Sequence, residues 1–239
     1  MNKEKEIIKN ISIERLETYR IDPSDSIQDL VERYLKNIQL GQLFYPALAL
    51  LEVTLRNQIS TAINKYIKEN WLLEETRTYT HLILLTKEHE LLMEAYDKLN
   101  KPFYNKNGEL INREITEGKI IAELNFGFWV NLCNDKYNPN IWMKKPIIFD
   151  EIFPYFDEFI AKKNPTSKRH KRINKVASKL APTLKLRNRI FHHEPIFNHP
   201  KGILNCYNDI EELLLYMSLE TSECLTTIST FEEHYEKFL

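Results

Sequence analysis

Glycine is scarce, with five in 239 residues, about a third of what a usual share of roughly 7% would supply. So little of the one residue that takes positive φ freely excludes a Gly-rich phosphate or dinucleotide loop. It also argues against an all-β fold built on tight turns. Cysteine is equally thin. Cys133, Cys206 and Cys224 are odd in number, widely spaced and lack a CxxC pair. They read as reduced, packed thiols, with no structural zinc site and no metal or cofactor expected. No apolar run approaches the ~20 residues of a membrane span, Ala47–Leu51 being typical of the longest. The opening stretch, residues 1–9, is charged and has no signal-peptide core. The expectation is a cytoplasmic protein without a membrane partner.

Acidic residues are missing from one stretch altogether. Residues 159–193 hold no Asp or Glu but eleven Lys or Arg, whereas residues 209–239 hold eight carboxylates and one Lys. The net charge of −1 conceals this asymmetry. Two solvated helix faces would account for it. So would a basic surface for a polyanion, with Lys168, Arg169, Lys171, Arg172 and Lys175 as the RNA-binding candidates.

What the chain does have is helical periodicity. Ser12 is placed to cap a short helix carrying Ile13, Leu16 and Tyr19, after a polar lead-in over residues 1–11 that is expected to be flexible. Ser26 caps a long pattern through Ile27, Leu30, Val31, Leu35 and Ile38. The pattern resumes as Leu48, Leu51, Leu55, Ile59, Ile63 and Tyr66, with Gly41 and Pro46 as expected kinks or breaks. Helices are predicted over residues 86–100, from Thr116 through Leu132 up to Asn138-Pro139, and in pieces over 146–156. A turn is predicted at residues 164–167. The basic helix follows, with core positions Ile173, Val176, Ala177, Leu180, Leu184 and Phe191, and Pro182 as a kink or a new start. Two acidic amphipathic helices, 210–218 and 222–238, finish the chain. The reading is one all-α domain spanning 1–239, built on long, kinked helices.

The stretch that carries chemistry is Leu184 to Pro195. Asn188 and His192 are four apart and share a helix face; Arg187 lies on the stripe between Leu184 and Phe191. A guanidinium fork, an amide and an imidazole side by side suit a scissile phosphate. Arg binds its oxygens, His moves a proton and Asn orients. His193 is a secondary candidate, its ring turned about 100° away. Cations near a helix C-terminus also simply complement the helix dipole. In the first half, Glu52 and Arg56 have the i, i+4 spacing of an ion pair. With Asn57 they form either a structural pair beside the Leu51, Leu55, Ile59 face or a second layer holding Arg187 or His192. The block from Gly127 to Trp129 reads as core packing rather than a stacking platform.

Arg187-Asn188-x-x-x-His192 resembles the R-x(4–6)-H motif of HEPN-superfamily ribonucleases. The longer string Leu186–Phe197, LRNRIFHHEPIF, is similar to the abortive-infection (Abi-like) branch of that superfamily, as are LEVTLRN (Leu51–Asn57) and GKIIAELNFGFW (Gly118–Trp129) with Ile141-Trp142. The resemblance implies an all-α HEPN-type domain that dimerises. It also implies a metal-independent endoribonuclease acting as a toxin or in phage defence, with Arg187, Asn188 and His192 catalytic. The implied partners are an RNA substrate, a second copy, and an antitoxin of protein or RNA. A non-catalytic RNA-binding HEPN module and a structural helical partner are the other readings.

Overall fold

The computed structural model describes residues 3–78, 82–111, 113–161 and 169–238. The expected turn at 164–167 and Lys168 lie outside the described residues. The chain is all-α, and its only strands among those residues form one short hairpin.

Two short helices, α1 (Lys3–Ile11) and α2 (Ile13–Glu17), open the chain. Residues 3–11 are thus helical, where a flexible lead-in was expected. Ser12 caps α2 by accepting the Arg15 N–H. The long α3 (Ile27–Tyr66) begins with a complete capping box: Ser26 accepts the Asp29 N–H while Asp29 accepts the Ser26 N–H. It runs forty residues without interruption through Gly41 and Pro46. A proline inside a helix costs about 3 kcal/mol. Burial of Phe44, Leu48, Leu51 and Leu55 around it, at about 1.5–3 kcal/mol each, outweighs that. By length and composition α3 is apolar enough to cross a membrane; here its apolar residues form the middle of the core.

A short helix that periodicity did not reveal, α4 (Trp71–Arg77), leads to α5 (Thr86–Leu99). The hairpin follows, β1 (Phe103–Tyr104) antiparallel to β2 (Leu110–Ile111). The helix expected from Thr116 to Leu132 is two, α6 (Glu117–Glu123) and α7 (Phe126–Leu132). The break is chemical: the Asn125 side chain accepts the Phe128 N–H at 3.0 Å and starts a new helix. Gly127 belongs to this cap, because a Cβ there would lie 3.1 Å from Asn125 Oδ1. Phe126, Phe128 and Trp129 are buried. Instead of closing a helix, Pro139 sits in a π-helical turn, Asn138–Trp142. Beyond it come α8 (Ile147–Ile152) and α9 (Phe156–Ala161).

The basic helix α10 (Arg169–Phe191) also runs unbroken through its proline, Pro182. Its buried line is Ile173, Val176, Leu180, Thr183 and Leu186. The line turns away from the Leu184–Phe191 stripe, and Phe191, expected in the core, is 51% exposed. The chain ends with α11 (Ile203–Met217), α12 (Leu219–Ile228), α13 (Phe231–His234) and a 3-10 turn. Helix α3 packs against α11, α8, α12 and α7, while α10 lies between α11 and α7 and touches α3. All three cysteines are free; Cys133 and Cys206 are buried as expected, but Cys224 is exposed.

Candidate functional site

The end of α10 is built with unusual backbone. The His193 N–H bonds the Ile190 carbonyl and the Glu194 N–H bonds the Arg189 carbonyl, at 3.1 and 2.8 Å. This pair of bonds is a Schellman cap, and His193 takes the left-handed position, φ 55°, that glycine usually fills. A side chain there costs about 1–2 kcal/mol, and contacts from the start of the chain hold it. Arg15 reaches the carbonyls of His192 and His193 at 3.3 and 3.4 Å. The Tyr19 hydroxyl donates to the His193 carbonyl at 2.9 Å. Asn37 donates to Glu194 O and to the Tyr19 oxygen, and accepts the Ile196 N–H at 2.7 Å. Burial pushes the Tyr19 phenol up to about 12, so it stays a donor across the ordinary pH range.

On this fixed end Arg187 lies across Phe191, its guanidinium carbon 4.3 Å from the ring centroid. One guanidinium nitrogen lies 3.5 Å from Glu52 Oε2, while its Nε is buried without a hydrogen-bond partner. Asn188, His192 and His193 are exposed, and the His192 N–H closes the last helical bond to Asn188 O. Two adjacent rows result, Arg187 over Phe191 and Asn188 beside His192, with the second open to solvent. His193 belongs to the cap rather than to the helix face, so no helical rotation sets its ring direction.

From the first half, Glu52 meets Arg187. Arg56 Nε is buried without a partner. The Glu52–Arg56 ion pair expected from spacing does not form: among the described residues Glu52 pairs with Arg187 alone. Asn57 is exposed and no hydrogen bond ties it to the helix-end trio. A groove of about 410 Å³ opens next to them between α3 and α10, lined by Ile38, Gln42, Tyr45, Ile190, Phe191 and His193.

The basic run is only partly free. Arg172, expected on an RNA-binding surface, is 13% exposed. It bonds Asp150 at 2.7 Å and Asp157, and lies over the Phe149 and Phe156 rings. Its charge is engaged inside the fold, which corrects that expectation. Lys179 meets Asp209 at 2.8 Å and Glu212 at 2.9 Å, and Asp209 also holds Lys201. Burial alone would lower the Lys179 pKa, but the two carboxylates outweigh it and raise it. Thus part of the basic–acidic asymmetry is α10 packed on α11. Among the described residues Lys171, Lys175 and Lys185 have no carboxylate partner; Arg169 opens α10.

Nearby, His199 is buried with Nδ1 3.4 Å from Cys206 Sγ. Burial, and then the cations Arg189, Lys185 and Lys201, lower its pKa. Burial pushes the Cys206 thiol up to about 11, so both groups are neutral near pH 7. Among the described residues no group of three or more His, Cys, Asp or Glu is arranged to hold a metal ion.

Sequence reasoning missed the supports of the site, Arg15, Tyr19 and Asn37. One signal was available. Asn37 is a polar residue on the stripe of Leu30, Leu40 and Phe44, and a buried amide on such a stripe needs partners from elsewhere. Set against protein-family models, curated proteins and solved structures, the chain finds no match.

Proposed function

We propose that the protein is a metal-independent endoribonuclease of the HEPN, Abi-like kind, acting in the cytoplasm as a toxin or in abortive infection. The observation that carries this reading is the solvent-open Asn188–His192 row beside a guanidinium anchored by Glu52 and Phe191 on a rigidly capped helix end.

The chemistry is attack of a ribose 2′-OH on the adjacent phosphate, leaving a 2′,3′-cyclic phosphate and a 5′-OH. His192 transfers a proton. Arg187 stabilises charge on the phosphorane, and Asn188 orients. A base and an acid are both needed, and one chain offers one His192. A two-fold dimer supplies the second. The groove bordering the site supports that arrangement, because it leaves Tyr45 and Phe191 66% and 51% exposed.

The test is incubation with bulk RNA in EDTA. Short products ending in 2′,3′-cyclic phosphate are expected, and intact RNA with an active-site-competent dimer in solution rejects the reading. Retention of RNA without cleavage favours the second reading, a non-catalytic RNA-binding module. The unpaired Lys171, Lys175 and Lys185 along α10 support that alternative.

A further inference from the structure

Glu52 and Arg56 lie one turn apart on the same face of α3, and Arg187 reaches that face from α10 to meet Glu52. Helical spacing therefore puts two arginines on the side of α3 that carries one carboxylate, and the three side chains together hold one positive charge in excess. Arg56 is the unexplained member. A residue that positions Arg187 or His192 has to touch one of them or Glu52. Among the described residues no hydrogen bond or ion pair reaches the Arg56 guanidinium, and its Nε is buried. Arg187 Nε is buried and unpartnered as well. Each buried donor left unsatisfied costs about 1–3 kcal/mol.

A tetrahedral oxyanion offers further acceptors to both guanidiniums. Its oxygens match the planar forks of two arginines, and it neutralises the excess charge. We propose that Arg56 is a second phosphate-binding residue, which together with Arg187 grips one phosphodiester of bound RNA, while Glu52 sets the angle of the Arg187 fork. This rests on the nuclease reading for the identity of the ligand, but the phosphate seat itself does not require cleavage. It separates Glu52 from Arg56 within the LEVTLRN block. Glu52 is a positioning residue, and Arg56 is a ligand-binding one.

The experiment is titration of the full chain with inorganic phosphate at constant ionic strength, by calorimetry, alongside Arg56→Gln, Arg56→Lys and Lys36→Gln. The last removes an equal charge from an exposed i, i+4 pair elsewhere on α3. The expected result is saturable binding of one phosphate per chain, weakened about tenfold or more in Arg56→Gln and unchanged in Lys36→Gln. If Arg56→Gln does not fold by circular dichroism, Arg56→Lys decides, since it keeps the charge and loses the fork. Severalfold weaker binding supports the seat, and unchanged binding overturns it. Absence of saturable phosphate binding to the native chain also overturns it. With RNA, Arg56→Gln is expected to raise KM more than it lowers kcat. A chain that seats phosphate through Arg56 yet cuts no RNA removes the nuclease reading and leaves the seat. A chain that cuts RNA with Arg56→Gln unchanged in both assays does the reverse.

Discussion

Lys179 and Arg187 lie about two turns apart on α10, and the fold treats them in opposite ways. Lys179 is met by Asp209 and Glu212, and Asp209 also takes Lys201. Arg187 meets one carboxylate, 3.5 Å away, and Arg56, one turn from that carboxylate on α3, has no partner. The first cluster is neutralised within the chain and joins α10 to α11. The second retains positive charge and unsatisfied donors where the helix end is open to solvent. A half-buried cation thus says little by itself; whether the chain supplies its counter-charge separates a structural tie from a place for a ligand.

The largest effects should come from breaking the open cluster. His192→Ala and Arg187→Ala are expected to lower RNA cleavage by about 10²–10⁴-fold with melting temperature and dimer unchanged. Arg187→Lys should not restore it, because a point charge does not replace a planar fork. Parallel loss of stability and cleavage would assign both residues to the fold instead. Asn188→Ala should be milder.

Breaking the matched cluster should do the converse. Asp209→Ala strands Lys201 and leaves Lys179 with Glu212 alone, and should destabilise the protein by at most about 3 kcal/mol, with cleavage per folded molecule retained. Chemical denaturation and rate measurement on one preparation check this.

The same helix also carries the unpaired lysines, two of them before Lys179. Lys171→Gln with Lys175→Gln should flatten the slope of log affinity against log salt by about 1.4 for single-stranded RNA. An unchanged slope leaves the basic run a solvated face. Arg172 is omitted from that variant because its charge is already taken by Asp150 and Asp157.

Smaller effects sharpen the edges of the site. His193→Gly relieves the left-handed φ and should stabilise the protein by about 1 kcal/mol while cleavage persists, which thermal melts would show. His199 is held neutral by burial, with its folded pKa below the ordinary 6.5. Its contribution to stability is complete above pH 6.5 and is lost as pH falls from there toward the folded value. Denaturant midpoints measured from pH 7 down to pH 5 should fall less steeply in His199→Gln than in the native chain.

Much of the helical order was legible because it is local. Ser26 and Asp29 are three residues apart and declare the start of α3, and the apolar spacing through Ile63 carries it on. The departures come from tertiary terms. Proline breaks a helix in isolation, yet at Pro46 and Pro182 core burial keeps both helices continuous. Asn125 falls within an unbroken apolar rhythm, so nothing in periodicity marks its cap. Phe191 leaves the core because the buried line of α10 shifts to Thr183 and Leu186. Seven residues of α4 are too few to show a period. At the site, Asn188 with His192 and Arg187 with Phe191 were readable as i, i+4 neighbours. The partners of Arg172 and the supports of His193 come from distant parts of the sequence, where no spacing rule applies.

The contacts at His192–Ile196 have a consequence for the order in which the chain is made. Asn37 and Ile196 are 159 positions apart, so at about 5–20 residues per second the ribosome needs roughly 8–30 s between adding the two. For most of that interval α3 already carries Glu52 and Arg56, but the helix end that Glu52 meets has not been synthesised. On the proposed reading, a chain that cuts RNA is thus born beside ribosomal RNA without a finished site. On that reading, activity waits until translation has passed the Glu194-Pro195 turn and Arg15, Tyr19 and Asn37 have closed over residues 192–196.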